Sequence, residues 1–261
     1  MDNNSNPFYG LIDSGLNGKT ALVTGGARGI GRATCLALAA HGMQIAVHYQ
    51  HQPDAAGEVV ETIRSAGGQA VSIQSELAEA TAPVTLVKGV VEQFGRIDVL
   101  VNNAGEMTDT LITDMPDIMW ERTLAQNLTT AVRCARACME VMIPNRWGRI
   151  INITSQAAFS GSASNAHYAA SKSGLAGFNH SLAKEVGPYG ITVNMIAPGR
   201  IVTDNLTRKS PGQDDEWIYQ TPLRRFGQPE EVAATVAFLA SEGAGYITGA
   251  MLYVNGGLVM G

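Results

Sequence analysis

The stretch TALVTGGARGIGRATCLALAAHG, residues 20–42, decides the architecture. It opens as a short apolar run that stops on glycine and closes with Ala and Leu at helical spacing, again before a glycine. Between the two lies TGGARGIG, Thr24 to Gly31, where Gly25, Gly29 and Gly31 let the backbone turn tightly and come close to a ligand. The unpaired N–H groups at the start of the following helix offer a positive pole to an anion such as a pyrophosphate. A glycine-rich turn alone is a weak signal, and its place between a strand and a helix is what gives it weight.

Outward from this unit the alternation repeats. Apolar, β-branched runs at 44–49, 70–74, 97–105, 148–155, 191–199 and 246–257 read as buried strands, and segments of helical period separate them. Strand and helix in turn imply βαβ units, hence an α/β protein with a Rossmann-like, doubly wound parallel sheet of about seven strands, covered on both faces. Ligands of such sheets sit beyond the carboxyl ends of the strands, so the residues to question are those where each apolar run stops.

The composition agrees and excludes other classes. At 261 residues, 45% apolar and 16% charged, the chain suits one compact domain over 17–261, preceded by a loosely ordered extension over 1–16. Eighteen basic against 23 acidic side chains give a net charge of −5, which argues against nucleic acid as a partner. No run is long enough to cross a bilayer and the first residues do not resemble a signal peptide, so the expectation is a cytoplasmic protein without a membrane partner. Cys35, Cys134 and Cys138 have neither CxxC spacing nor a neighbouring His, and no metal site is expected.

The spacing of the glycines, GxxxGxG, is that of the short-chain dehydrogenase/reductase family, and the rest of the chain follows the same pattern. Asn102 to Gly105 reads NNAG, Asn127 falls in the next helical stretch, Ser155 ends the fifth strand, Tyr168 and Lys172 form YxxxK, and Pro198 and Gly199 end the sixth strand with Thr203 shortly after. The resemblance covers residues 17–261 and is greatest to the 3-oxoacyl-[acyl-carrier-protein] reductases. It implies a nicotinamide cofactor held by Gly25, Arg28, Gly29, Ile30 and Gly31, by Asn103, Ala104 and Gly105, by Tyr168 and Lys172, and by Pro198, Gly199, Ile201 and Thr203. The adenine amine would meet Glu76 or Ser75, with Leu77 beside them, where the family tends to carry Asp-Val.

The second strand ends HYQHQ. NAD-binding members usually place a carboxylate there for the ribose 2′-hydroxyl; here Tyr49 stands in that place with His48, Gln50 and His51 around it. The charge that would repel a 2′-phosphate is absent and Arg28 offers a cationic fork, so the expectation is NADPH over NADH.

Tyr168 and Lys172, four apart, project from one helix face, in a segment otherwise built of Ala, Ser and Gly that leaves room for close neighbours. Carbonyl reduction needs a hydride donor, a proton donor and a hold on the carbonyl. Tyr168 is the candidate acid; a free phenol titrates near about 10, and Lys172 would bring it toward neutrality while bonding the nicotinamide ribose. Ser155, 13 residues earlier, would hold the carbonyl, with Thr154 as its rival. By resemblance Asn127 holds a water that links Lys172 to solvent. His167 points elsewhere on the helix and reads as a rim or interface residue.

The segment from Thr203 to Gln228 is too long for a plain connection and reads as a substrate lid over 203–228, in which Trp217, Ile218 and Tyr219 could wall a pocket or pack on the body. The substrate class implied is a small carbonyl compound, foremost a 3-oxoacyl thioester on acyl-carrier protein or CoA. Sugar, steroid and xenobiotic ketones are the alternatives on this scaffold, and a non-catalytic nicotinamide-binding regulator is a further one. Of the two basic rim residues that the reductases turn toward an acidic carrier, Arg146 matches the first and Tyr189 replaces the second. The resemblance also implies a homotetramer.

Overall fold

The computed structural model describes residues 14–203 and 214–260. Its seven strands are β1 Thr20–Val23, β2 Gln44–Tyr49, β3 Gln69–Gln74, β4 Val99–Asn102, β5 Gly148–Ile153, β6 Ile191–Pro198 and β7 Met251–Val254. They form one sheet in the order β3-β2-β1-β4-β5-β6-β7, with every neighbouring pair parallel. The helices are α1 Gly29–Ala40, α2 Pro53–Ser65, α3 Ala82–Phe94, α4 Asp117–Leu124, α5 Thr130–Asn145, α6 Ala157–Ser160, α7 Ala166–Val186, α8 Asp214–Gln220 and α9 Pro229–Ala240.

Both faces of the sheet are buried, which is why the strands read as unbroken apolar runs. Successive side chains nevertheless separate by face. Ala21, Val23, Val99, Val101 and Ile151 join one core with Cys35 of α1, Val59 of α2 and Val232 of α9. Leu22, Leu100 and Ile150 join the other with Leu86 of α3, Cys134 of α5 and Leu182 of α7. All three cysteines are free and buried, and burial pushes the Cys134 thiol up to about 12, so none is poised to react.

The strands are shorter than their apolar runs because each run includes the turn after it. β1 stops at Val23, and Gly25 then takes φ of +63°, in the left-handed region. The 246–257 run contributes only β7, since Gly249 (φ +73°) turns the chain just before it. One of the segments of helical period is not a single helix. The stretch from Trp120 to Met142 is divided between α4 and α5 by a π turn, Ala125–Thr129, with Asn127 inside it.

From the centre the chain runs β1 to β2 to β3 toward one edge, then crosses back to β4 and proceeds outward to β7. This reversal opens a crevice beyond the carboxyl ends of β1 and β4. The opposite end is closed by a polar cluster. Trp147 lies between Lys19 and Arg149, each cation 4.2 Å from the ring centroid, and its indole N–H donates to Glu242 Oε1 at 3.0 Å. No helix among the described residues is long and apolar enough to cross a membrane.

Candidate active site

The crevice is a cavity of about 870 Å³ that runs from the glycine turn past the ends of β2, β4, β5 and β6 to Trp217 on α8. At its phosphate end, Gly25 and Gly29 have φ of +63° and +51°. A Cβ on Gly31 would stand 2.1 Å from the Gly25 carbonyl oxygen, so this crossing of turn and helix admits only glycine. The NNAG loop is tied to the turn. Thr24 Oγ1 accepts from the N–H groups of Asn103 (2.9 Å) and Ala104 (3.0 Å), while Asn103 Nδ2 donates to the carbonyls of Thr24 (2.9 Å) and Gly25 (3.0 Å). No side chain caps the start of α1 and no acidic residue stands in its first turn, so its N–H groups face the cavity ready for an anion. Size, bare helix start and glycine cradle together fit a dinucleotide.

At the end of β2, Tyr49, Gln50, His51 and Gln52 line the cavity along with Arg28, and no carboxylate does so there. His48 lines the cavity there too, with its ring 3% exposed, Nδ1 accepting from Gly25 N–H and Nε2 meeting the Ser75 carbonyl, both at 3.0 Å. One expectation changes here. Glu76 and Leu77 are not part of the cavity wall. Leu77 is buried in the core, and the Glu76 carboxylate is engaged by Gln50, Gln126 and the Ala78 N–H.

At the other end, Ser155, Tyr168 and Lys172 share the cavity wall. α7 carries Tyr168 and Lys172 on one face, and Ser155, just past the end of β5, shares the wall with them, its Oγ accepting from Ala157 N–H at 3.2 Å. Thr154 turns inward instead, its Oγ1 donating to the Lys172 carbonyl at 2.9 Å. Lys172 Nζ donates to the Ile153 carbonyl at 2.9 Å and lies 5.9 Å from the Tyr168 ring centroid. Burial holds its ammonium down to about 8. Burial raises the Tyr168 phenol above its usual value and the neighbouring Ser155 side chain opposes that rise, while Lys172 Nζ is spent on the Ile153 carbonyl.

Asn127 is buried behind this group. Its Oδ1 accepts from Glu106 N–H at 2.8 Å, and its Nδ2 donates to the Glu106 carbonyl (2.9 Å) and Ser171 Oγ (3.1 Å). A Cβ on Gly105 would stand 2.9 Å from Asn127 Oδ1 and 3.4 Å from Lys172 Nζ, so loop, π turn and α7 converge on one glycine. Room on α7 is used in the same way, since a Cβ on Gly174 would come within 2.7 Å of Leu128 in the π turn.

A family profile described as enoyl-(acyl carrier protein) reductase matches residues 25–259. A 3-oxoacyl-[acyl-carrier-protein] reductase of Synechocystis sp. is 45% identical over 94% of this chain and 98% of its own. Relatives of the same name from Staphylococcus epidermidis (43%, over 93% of this chain and 99% of theirs) and Pseudomonas aeruginosa (40%, over 94% and 99%) are similar throughout. The chain belongs to the short-chain dehydrogenase/reductase family. Among this family's solved structures, one from Agrobacterium tumefaciens, provisionally named a gluconate dehydrogenase, superposes with a TM-score of 0.91 at 32% identity, covering 95% of this chain and 99% of its own. As a short-chain dehydrogenase/reductase the protein is an NAD(P)-dependent oxidoreductase acting on C=O or CH–OH groups.

Of the residues that the family pattern singles out, Gly25, Arg28, Gly29, Ile30, Gly31, Asn103, Ala104, Gly105, Pro198, Gly199, Ile201 and Thr203 all line the cavity. The pattern does not single out Glu106, Gln156 and Arg200, which also line it. Arg200 holds α8 in place. Its Nη1 donates to the Trp217 carbonyl (2.7 Å), its Nη2 to Gln220 Oε1 (2.6 Å), and its guanidinium lies 4.9 Å from the Trp217 ring centroid. Its signal was present in the sequence, as the first residue after the Pro-Gly that ends the sixth strand. In the lid, Trp217 walls the cavity, whereas Tyr219 is 74% exposed with Arg224 over its ring. Residues 1–13 of the extension and 204–213 of the lid lie outside the described residues. His167, expected at a rim, is fully buried. Arg146 is not on the cavity rim either. It follows α5 and precedes β5, at the end of the sheet opposite the cavity, and its guanidinium donates to the Pro188 carbonyl beside Tyr189.

Proposed function

We propose that the protein is an NADPH-dependent reductase that converts a ketone to a secondary alcohol, with 3-oxoacyl thioesters as substrates. One observation carries the reading: Ser155, Tyr168 and Lys172 line one wall of the dinucleotide cavity, Tyr168 and Lys172 one turn apart on α7. The names of the 45%- and 43%-identical relatives support the thioester. The wall at the end of β2, free of carboxylate and adjoining Arg28, supports the phosphorylated cofactor.

A bound nicotinamide supplies the hydride to the carbonyl carbon. The chain's own residues attend to the oxygen. Ser155 holds it, and Tyr168 delivers its proton to the alkoxide that forms. Reduction needs the phenol protonated beforehand, which its raised proton affinity ensures. Lys172, placed against the cofactor site, orients the nicotinamide ribose. The Asn127 carboxamide is spent on Glu106 and Ser171, which ties the π turn to the loop after β4 and to α7 behind this group.

A second reading has its own observation. Glu106, Gln156 and Arg200 make the substrate end polar, and the structural neighbour carries a gluconate dehydrogenase name, which together favour a keto sugar acid. Steady-state oxidation of NADPH and of NADH against acetoacetyl thioesters, a 2-enoyl thioester and a keto sugar acid separates the readings. Turnover of the acetoacetyl thioesters with NADPH at least tenfold above the rest is expected. Preference for the sugar acid, or for the enoyl compound, would replace the proposal. The reading includes a cytoplasmic homotetramer, in which Arg146 could meet an acidic carrier only beside the cavity of another copy.

A further inference from the structure

The imidazole of His48 is 3% exposed and sits between the glycine turn and the loop after β3. Gly25 N lies 3.0 Å from Nδ1, and the Ser75 carbonyl oxygen lies 3.0 Å from Nε2. A backbone N–H can only donate and a backbone carbonyl can only accept. The two contacts therefore require a neutral ring with its proton on Nε2 and its lone pair on Nδ1. Burial acts in the same direction, holding the ring's proton affinity below that of free histidine despite the nearby charge of Glu76. The same residue also holds the next peptide, since Gly26 N–H donates to the His48 carbonyl at 2.8 Å.

We propose that His48 is a positioning residue for the dinucleotide: its Nδ1 lone pair fixes the Gly25 N–H and, through it, the left-handed turn that brings α1's free N–H groups to the pyrophosphate. This rests on the reading of the cavity as the NADPH site. The turn has little freedom to settle elsewhere. The Gly25 carbonyl must stay where Asn103 Nδ2 meets it at 3.0 Å, and it already fills the space that a Gly31 side chain would need. Losing the acceptor at Nδ1 leaves a part-buried N–H unpaired at one end of the peptide plane that sets this geometry. The ring contributes to cofactor affinity without touching the reacting atoms, so it acts on binding and not on the chemical step.

The test compares His48→Leu with His48→Asn, whose Oδ1 can stand near the Nδ1 position and accept from Gly25. In calorimetric titration His48→Leu should bind NADPH about tenfold more weakly, while turnover at saturating NADPH stays within about twofold of the parent protein. His48→Asn should recover affinity to within about threefold. In the cofactor-free protein, ¹⁵N shifts of the ring at neutral pH should show the Nε2–H tautomer; this measurement decides the matter if His48→Leu does not fold. Unchanged affinity in His48→Leu, equal weakness in His48→Asn, or a ring that is charged or protonated at Nδ1 would each overturn the proposal. Failure of the parent protein itself to bind NADPH would overturn both this and the function on which it rests, whereas loss confined to the variants bears on His48 alone.

Discussion

At the residue scale, Lys172 shows how the site opposes the fold. Its ammonium is buried and held down to about 8, against about 10.4 for a free lysine. A lysine depressed in the folded state binds protons more weakly there than in the unfolded chain. Its cost is therefore fully present below pH 8 and is relieved as the pH rises toward the unfolded value. Lys172→Met should raise the stability of the cofactor-free protein by about 2 kcal/mol at pH 7, the lost bond to Ile153 offsetting part of the gain. The advantage should shrink steadily between pH 8 and 10.5 in chemical denaturation, and activity should fall at every pH. The Tyr168–Lys172 pair itself was legible in the sequence, because four-residue spacing on a helix fixes a shared face. The direction of the phenol's shift was not, since it depends on how deeply the folded chain buries the ring.

At the element scale, the glycine turn and α1 form a unit whose meaning could be read before any coordinates. A strand that ends on GxxxGxG and runs straight into a helix leaves few other geometries. Gly31→Ala tests the unit. Its Cβ would have to occupy space 2.1 Å from the Gly25 carbonyl oxygen, and backbone does not give way cheaply. NADPH affinity should fall by at least about a hundredfold in fluorescence titration, a loss larger than that of any single hydrogen bond, with melting lowered by several degrees. The π turn was not legible. One extra residue per turn leaves hydrophobic periodicity almost unaltered over so short a segment, so a single helix through Trp120 and Met142 looked equally good. The same holds for Glu76 and His48, where the sequence located the strand ends while side-chain length and tautomer decided which way each group turned.

At the scale of the whole molecule, the sheet has two ends with separate tasks. Parallel pairing and the two buried faces followed from the alternation of strands and helices, because crossover connections of that length allow little else, whereas the order of the strands came only with the structure. The closure of the far end did not, as Lys19, Trp147, Arg149 and Glu242 come from three distant parts of the chain. Arg149 is 3% exposed and relies on Glu242, 3.7 Å away, for its charge. Glu242→Ala should leave that guanidinium uncompensated and cost about 3 kcal/mol in denaturant unfolding, with NADPH affinity unchanged at the opposite end. An equal loss of cofactor affinity would mean that the two ends are coupled. Placement of Arg146 at this far end was likewise beyond sequence reading, which matched a family position without its location in space.

The central claim is that Tyr168 gives the proton while the cofactor gives the hydride. Tyr168→Phe removes one oxygen and leaves the ring's bulk in place. With acetoacetyl thioester and NADPH, kcat should fall by about 10²–10⁴-fold, while the dissociation constant for NADPH, measured by fluorescence titration on the same preparation, changes by less than about threefold. Turnover within a few fold of the parent protein, with binding intact, would contradict the account.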